Sequence, residues 1–336
     1  MGRARRVGIL LNRHAQRVTP ELVERLGRAL PPAVDLFATD TLEESREAAR
    51  TLIARGCEVV CVGGGDGTFI QAAADLLDAA PNGAPALLPL RLGSGNAIAD
   101  VAGSGAHSLK GILGDVERAR SGGMERPMRL LRVDGRPAHF AGAGIDAKLN
   151  EDFRDVVKQG IGRGRFGRVF HGPPGIMISL VVRTIPRLIA EPQMRVLIRN
   201  TGATARRLGP EGETTGTVAT GDVLFDGPVT IAAASTITQY ARGLTFFPFA
   251  GRIGAAFQVR ASNAGAREVL PHIPSIFAGT YRNPEKIRDF AATGVRFEMP
   301  CPVPVHVGGD LWGDRTELTI ELDPRIVTLI AGVPAV

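Results

Sequence analysis

The sequence predicts an α/β protein in which a parallel α/β domain over residues 1–121 precedes a mostly antiparallel, β-rich domain over residues 122–336. Three observations support this fold class. The chain of 336 residues is longer than one hydrophobic core usually serves. Strand and helix patterns alternate up to the Ser121-Gly122-Gly123 segment. Beyond it, short strand patterns separated by turn residues predominate.

The first domain is expected to consist of alternating strands and helices. Short apolar runs predict buried strands, and apolar residues spaced along one face predict amphipathic helices. The strands are expected at residues 7–11, 34–38, 58–62 and 87–92, and the helices at residues 19–30, at residues 42–55 and directly after Thr68. Strands joined by helices run parallel, so their carboxyl ends share one edge of the sheet. Open α/β folds bind ligands at that edge.

The second domain shows short β-like runs with few helical stretches between them, which is typical of antiparallel sheets. These strands are expected at residues 128–133, 138–141, 194–198, 217–219, 229–234, 256–259, 303–307, 317–322 and 326–330.

Composition excludes several classes of protein. Hydrophobic residues make up 44% and charged residues 22% of the chain, which excludes a disordered protein. No apolar stretch is long enough for a spanning helix, and the N-terminal apolar run is too short for a signal peptide, so we expect a cytoplasmic location. The net charge of +6 is compatible with an anionic partner, but 5% aromatic residues without a basic-aromatic stripe argue against nucleic acid.

The three cysteines are sparse and odd in number, so they predict no disulfide framework. Cys57 and Cys61 lie in or beside one apolar run and are expected to pack in the core. No cluster of His, Cys and carboxylate residues has the spacing of a zinc site.

Two strands of the first domain lead into glycine-rich loops that each open a helix. The first loop reads GGGDGT at residues 63–68, and the second reads GSGN at residues 93–96. Glycines allow close backbone approach, and a helix N-terminus directs free N–H groups at one point, so both loops predict phosphate binding. Asp66 would repel phosphate, which favours a role in binding Mg²⁺ through water or in accepting a proton or hydrogen bond. Neither loop is a Walker A motif or a Rossmann fingerprint.

The GGDGT segment at residues 64–68 resembles the signature of the diacylglycerol kinase catalytic superfamily, which includes sphingosine and ceramide kinases and bacterial soluble lipid kinases. The order of motifs is similar along essentially the whole chain. Asn12 after the first strand, Thr39 at the end of the second and the LGSGN loop at residues 92–96 resemble family positions in the first domain. The segments FAGAGIDA (140–147) and PVPVHVGGDLW (302–312) resemble family stretches in the second.

The resemblance implies transfer of the γ-phosphoryl group of ATP to a lipid hydroxyl in a cleft between a nucleotide-binding first domain and a lipid-substrate second domain. The implied nucleotide-binding residues are Asn12, Thr39, Gly64, Gly65, Gly67, Thr68, Gly93, Ser94, Gly95 and Asn96. Asp66 and Asp310 are the implied catalytic residues, with Asp66 near Mg²⁺ and Asp310 accepting the hydroxyl proton. Asp146 is implied to contact the substrate.

Two departures from the family pattern matter. The family's Asp-Gly-Glu triplet reads Gly308-Gly309-Asp310, so the base is a shorter carboxylate whose oxygens are retracted by about one C–C bond. The acidic pair of the family's Pro-x-Ala-x-x-Asp-Asp-Gly segment is missing from PFAGRIG at residues 248–254, which argues against a structural metal site there.

A lipid substrate requires contact with a membrane. Basic residues between 154 and 187 surround the apolar run 176–182, and such a segment suits an interfacial amphipathic helix at an anionic membrane surface. A solvated basic helix packed on the β domain fits the same pattern. The phenylalanines of residues 246–249 either line an acyl pocket or belong to the core. An exposed β edge could pair two chains into a homodimer, although nothing specifies it.

Two alternatives to a lipid kinase stay open. NAD kinase is a distant relative with GGDGT and a β-rich second domain, but its Gly-Ser-Thr-Ala-Tyr-like loop is absent here. The pair Asn150-Glu151 also lies too far downstream of Thr68. A non-catalytic nucleotide- or lipid-binding relative would account for the altered Gly308-Gly309-Asp310 segment.

Overall fold

The computed structural model describes residues 3–81, 83–144, 147, 193–240 and 244–332. The chain divides into two units. The first comprises Met1–Leu130 and Pro324–Val336, and the second comprises Leu131–Asp323. The chain therefore enters the second unit at Leu131 and returns to the first at Pro324. The boundary after residue 121 that the sequence indicates stays a prediction.

The first unit is a parallel sheet with helical connections. Its strands are β1 (Val7–Asn12), β2 (Asp35–Thr39), β3 (Val59–Gly64) and β4 (Ala86–Arg91). Its helices are α1 (Pro20–Ala29), α2 (Leu42–Ala54), α3 (Asp66–Ala79), α4 (Ala97–Val101) and α5 (Leu109–Ser121). The strands are hydrogen-bonded in the order β4-β3-β1-β2, all parallel, and Leu329 near the C-terminus pairs in parallel with Leu87 of β4. The predicted parallel α/β fold is confirmed.

Side-chain caps explain where three of these helices begin. The hydroxyl oxygens of Thr19, Thr41 and Ser108 each accept a backbone N–H from the first turn of the helix that follows. Each bond satisfies a donor that the helix itself leaves unpaired. Helices α3 and α4 follow Gly65 and Asn96, and neither residue makes a side-chain cap. These two helices, whose own N-cap residues supply no side-chain cap, are the ones that the glycine loops open.

The central strand β3 is buried along its whole length, as expected for a parallel strand covered on both faces. Cys57 and Cys61 are buried at this strand, which confirms that they pack in the core, whereas Cys301 is exposed. Each fully buried aliphatic side chain in such a core stabilises the fold by roughly 1.5–3 kcal/mol. The strand that carries the first glycine loop is thereby held rigidly.

The second unit is antiparallel. The strands that enter, cross or leave it are β5 (Met124–Val133), β6 (Arg136–Ala138), β7 (Phe140–Gly144), β8 (Met194–Asn200), β9 (Ala205–Leu208), β10 (Thr214–Val218), β11 (Val223–Val229), β12 (Ile231–Ser235), β13 (Phe257–Ser262), β14 (Ile287–Ala292), β15 (Gly294–Val307) and β16 (Asp310–Ala331). Two short helices are α6 (Ala266–Val269) and α7 (Ile273–Phe277). The strand order is β10-β9-β14-β13-β12-β7-β15-β16, with β8 bridging β15 and β11. The predicted antiparallel β-rich region is confirmed.

The sequence analysis missed two strands of this unit, β9 and β14, together with most of β11 and the first nine residues of β15. Strand β11 contains Gly227 and Pro228, which depress any strand pattern. The structure shows why they are tolerated, since in the described part of the chain β11 pairs with β8 alone and has a free edge. Strands β9 (ARRL) and β14 (IRDFAA) each contain two adjacent charged residues and lack the alternation that marks a half-buried strand.

The phenylalanines of residues 246–249 contribute to the core. Phe247 is fully buried and packs with Phe140 and Tyr240, and Phe249 is buried with Leu208 and Ile253 in a second cluster. Of the two sequence-based interpretations, the structure therefore favours the core. No helix within the described ranges combines the length and the apolar character that crossing a bilayer requires. The basic segment between 154 and 187 lies outside the described residues.

Candidate functional site

The two glycine loops lie side by side at one edge of the first unit. Strands β3 and β4 are parallel neighbours, with Gly64 opposite Arg91 in the register. Helix α3 starts at Asp66 and α4 at Ala97, so both loops leave the sheet at its carboxyl edge. The alternation of strands and helices in the sequence predicts this position for both loops.

The loops touch through their backbones, which explains two of the glycines. A Cβ atom on Gly93 would lie 2.2 Å from the Gly65 Cα and 2.5 Å from its nitrogen, a distance that only glycine permits. A Cβ atom on Gly64 would lie 2.6 Å from the Cβ of Thr68. Packing within the protein therefore requires glycine at positions 93 and 64.

Gly67 is different, because packing does not require it. It is exposed, and a Cβ atom placed there would meet nothing within 4 Å. It lies in the first turn of α3, where N–H groups have no helical acceptor. In the described chain, the first backbone hydrogen bond of α3 is donated by the Phe69 N–H to the Gly65 carbonyl at 3.0 Å. The N–H groups of Asp66, Gly67 and Thr68 are therefore left free. An exposed glycine among free donors at a helix N-terminus fits a phosphate group.

Asp66 joins the two loops. Its Oδ1 accepts the N–H of Ile98 at 2.9 Å and its Oδ2 accepts the N–H of Ala97 at 3.0 Å, so this carboxylate caps α4. Burial raises the pKa of Asp66, and the two N–H bonds oppose that rise. The sequence analysis expected Asp66 to bind Mg²⁺ through water and to take part in catalysis. Those roles stay predictions. The structure adds the capping of α4, a role that neither loop motif indicates.

Asn12, Thr39 and Thr68 come together at the same edge. Asn12 donates from Nδ2 to the Thr68 Oγ1 at 3.0 Å and accepts the His14 N–H through Oδ1 at 2.9 Å. Thr39 pairs with Asn12 in the sheet, and its hydroxyl donates to the Leu11 carbonyl at 3.3 Å. Asn12 therefore fixes the side chain of Thr68 at the start of α3. The predicted contacts of these residues with a nucleotide stay predictions.

Asn96 shapes its own loop. Its Oδ1 accepts the Gly93 N–H at 3.1 Å, and its Nδ2 donates to the Gly93 carbonyl at 2.8 Å. The side chain is buried, whereas Ser94 and Gly95 are exposed. Ser94 and Gly95 thus face solvent at the tip of a loop that Asn96 closes.

In the second unit, Asp310 begins β16 directly after a tight turn. Gly308 and Gly309 have φ values of 59° and 92°, the left-handed conformations that a type I′ hairpin turn requires. Val307 pairs with Asp310 across this turn, and the Gly308 N–H donates to the Phe140 carbonyl at 2.8 Å. The double glycine thus presents Asp310, an exposed carboxylate, on a fixed hairpin. Asp146 lies outside the described residues.

A buried histidine beside this hairpin was missed, because a single histidine in an apolar run carries no sequence signal. His139 is fully buried, and neither ring nitrogen has a hydrogen-bond partner. A Cβ atom on Gly308 would lie 3.8 Å from its Cε1. Burial, together with the nearby His306, lowers the pKa of His139 from 6.5 to about 3. His306 is itself buried and shares a 2.8 Å hydrogen bond with the Tyr240 hydroxyl.

Replacing His139 with leucine is expected to remove part of the acid sensitivity of the fold. The unfolded chain binds a proton at His139 below pH 6.5, whereas the folded chain does so only near its lowered pKa of about 3. Stability is therefore lost as pH falls through this window, by about 5 kcal/mol in total. Urea unfolding of His139→Leu between neutral pH and pH 4 should show a flatter profile than wild type. The exposed His107→Leu serves as control, and equal pH profiles for wild type and His139→Leu would contradict the expectation.

Within the described ranges, no group of three or more His, Cys, Asp or Glu side chains is placed to hold a metal ion. Magnesium bound with a nucleotide usually takes its ligands from phosphates, water and one or two carboxylates. Each Asp66 oxygen keeps a second lone pair beyond its N–H bond, so a water-mediated contact is compatible with its capping role. The site fits a cation brought with a nucleotide better than a resident metal.

The fold and the paired loops define a two-unit α/β protein in which two glycine-rich loops lie at the carboxyl edge of a parallel sheet, and comparison with known proteins shows what this class of protein resembles. Residues 6–128 match the model of the diacylglycerol kinase catalytic domain. No curated protein matches the chain. The resemblance to the diacylglycerol kinase catalytic superfamily is therefore confirmed by sequence over residues 6–128.

Solved structures extend the likeness in fold to the whole chain. A diacylglycerol kinase from Bacillus anthracis str. Sterne is 15% identical with a TM-score of 0.61, and the match covers 100% of both chains. A candidate diacylglycerol kinase from the same organism is 13% identical with a TM-score of 0.67, again over 100% of both chains. A further candidate is 14% identical with a TM-score of 0.62 over 99% of both. At these identities the likeness establishes the fold.

Proposed function

We propose that this protein is an ATP-dependent kinase that transfers the γ-phosphoryl group to a hydroxyl group of a lipid. The observation that carries the proposal is the pair of glycine loops, in contact at Gly93 and Gly65, with Gly67 exposed among free N–H groups. The match of residues 6–128 to a diacylglycerol kinase catalytic domain supports the kinase class. The same proposal includes peripheral association with an anionic membrane surface, where the substrate would be reached.

The loops bind phosphate by N–H groups, because neither of them contains lysine or arginine. The first turn of α3 supplies three donors and the positive end of a helix dipole. Asp66 does not oppose an anion there as strongly as a free carboxylate would, since both its oxygens accept N–H groups of α4. When bound, ATP supplies the transferable phosphoryl group and Mg²⁺ neutralises part of its charge.

The residues of the chain act mainly by positioning, as phosphoryl transfer requires. Asn12 holds Thr68 in place at the start of α3, and Asn96 holds the shape of the second loop. Asp310, an exposed carboxylate on a rigid turn, is proposed to accept the proton of the acceptor hydroxyl. A lipid carrying a primary or secondary hydroxyl fits this chemistry.

The test incubates purified protein with [γ-³²P]ATP, Mg²⁺ and a total lipid extract, and separates the products by thin-layer chromatography. A labelled lipid spot supports the proposal, and its mobility identifies the acceptor class. A parallel incubation with NAD in place of lipid distinguishes the alternative soluble acceptor. Label in NAD alone, or ATP binding without any labelled product, would contradict the proposal.

Asp310→Asn is expected to lower kcat by about 100-fold or more, because general base catalysis typically contributes factors of this size. The Kd of ATP should stay within about twofold of wild type, since Asp310 is not among the phosphate-binding groups. Asp314→Asn, an exposed carboxylate on the same hairpin, is the matched control. An unchanged kcat in Asp310→Asn, or an equal loss in Asp314→Asn, would remove Asp310 as the base.

A further inference from the structure

The second unit contains a cavity of about 300 Å³ that none of the motifs above accounts for. It is lined by residues of β9, β13 and β14 and by the segment at residues 281–284. Four arginines contribute to its wall, together with a single carboxylate, Asp289. The cavity reaches the surface, because Arg207 and Arg288 are exposed.

The charge of the Asp289 carboxylate is paired with that of one of the arginines. Arg260 and Asp289 form a bidentate pair, with Nε to Oδ1 and Nη2 to Oδ2 both at 2.8 Å, and both side chains are buried. Gln258 donates to the same Oδ1 at 2.8 Å. Such a pair is neutral and satisfied in itself. The other three arginines, Arg207, Arg282 and Arg288, therefore give the cavity a net positive charge.

Arg282 has a donor that lacks an acceptor. Its Nη1 donates to the carbonyls of Gly279 and Tyr281, at 2.8 and 3.0 Å, and its guanidinium lies 5.4 Å from the centre of the Phe249 ring. Its Nε is buried without a hydrogen-bond partner. An unpaired buried donor destabilises the fold, and native proteins seldom leave one unsatisfied. A ligand oxygen would satisfy it.

Arg207 is also held in place without a counter-charge. Its guanidinium lies 5.8 Å from the centre of the Phe290 ring. In the part of the chain that the structure describes, no carboxylate pairs with Arg207, Arg282 or Arg288. The Tyr281 hydroxyl accepts a hydrogen bond from Asn283 at 3.0 Å and keeps its own proton for a further acceptor. Guanidinium groups and a hydroxyl around one space match the several oxygens of a doubly charged phosphate.

We propose that this cavity binds a phosphate monoester, either as a soluble small molecule or as the headgroup of an anionic lipid. The cavity is separate from the hairpin of Asp310, because β12 and β7 lie between β13, which lines the cavity, and β15 in the strand order. Three strand spacings correspond to about 14 Å along the sheet. The proposal does not depend on phosphoryl transfer by this protein and would hold for a non-catalytic relative.

The test observes Arg282 directly in the full chain. With ¹⁵N-labelled arginine, the Nε–Hε resonance of Arg282 is assigned by its loss in Arg282→Lys. It is then followed during titration with sn-glycerol 3-phosphate and, separately, with phosphatidylcholine vesicles with and without phosphatidic acid. We expect this resonance to shift. A response to glycerol phosphate identifies a soluble source, and a response only to vesicles with phosphatidic acid identifies a headgroup.

The variants Arg207→Gln and Arg288→Gln should each raise the Kd for the responding probe by about tenfold, as expected for loss of one charge-assisted contact. Arg195→Gln is the matched control, since Arg195 is an exposed arginine of β8 that pairs with Asp226 outside the cavity. Its Kd should stay within about twofold of wild type. No shift of the Arg282 resonance with either probe, or equal weakening by Arg195→Gln, would overturn the proposal.

Discussion

Gly67→Ala is expected to lower phosphoryl transfer by about 100-fold or more while leaving the fold at least as stable as wild type. The added methyl group would project into open space, so it disturbs no protein contact. It would instead occupy the space next to the free N–H groups of α3, where a phosphate must approach, and a misplacement of about 1 Å can cost a factor of 100. Alanine in place of glycine in a helix should raise stability by up to about 1 kcal/mol. The measurements are the transfer rate with radiolabelled ATP and the free energy of unfolding in urea.

Gly114→Ala is the matched control for this change. Gly114 is an exposed glycine inside α5, and a Cβ atom there also meets nothing within 4 Å. The same substitution should therefore give a similar gain in stability with no change in transfer. Normal transfer by Gly67→Ala would mean that the phosphates are held elsewhere.

Gly93→Ala is expected to have the largest effect on stability, a loss of about 3 kcal/mol. Its methyl group would overlap the backbone of Gly65, and two strand ends anchored in a buried sheet cannot separate cheaply. The displaced loop would also carry Ala97 and Ile98 away from Asp66, which loosens the cap of α4. Urea unfolding measures this loss.

Gly65→Ala tests the same contact from its other side. A Cβ atom on Gly65 would lie 3.5 Å from the Gly95 carbonyl oxygen and 3.7 Å from the Gly93 Cα, which are ordinary contact distances. Its stability should fall by less than about 1 kcal/mol, although phosphoryl transfer should still be lost. Equal stability of the two variants would contradict the backbone contact between the loops.

The first unit was predictable from sequence because its signals are local. Buried strands, one-sided helices and glycine loops at strand ends determine a parallel sheet and the edge at which Asn12, Thr39 and Thr68 meet. The strand expected at residues 326–330 is the end of β16, but it was assigned to the second domain, whereas its Leu329 pairs with Leu87 of β4 in the first unit. A strand pattern does not reveal which strand will be its neighbour. In the second unit, Gly227 and Pro228 weaken the strand pattern of β11, and they are tolerated because β11 is an edge strand in the described part of the chain.

The internal bonds of the site could not be predicted, because they join residues far apart in sequence. Asp66 caps the N–H groups of Ala97 and Ile98, and the whole of α3 and β4 lies between these residues in the sequence. An aspartate in a glycine-rich motif indicates a catalytic or metal-binding role rather than a helix cap. The contact of Gly93 with Gly65 likewise depends on how two strands align. The structure is needed to see that packing requires glycine at position 93 but would accept a side chain at position 67.

Calorimetric titration of the wild-type protein with a non-hydrolysable ATP analogue and Mg²⁺ tests most directly whether the glycine loops bind nucleotide phosphates. Binding at a single site is expected, with loss in Gly67→Ala and retention in Gly114→Ala. Binding that is equally strong in Gly67→Ala, or no binding by a folded wild-type protein, would contradict the assignment of this sheet edge as the nucleotide site.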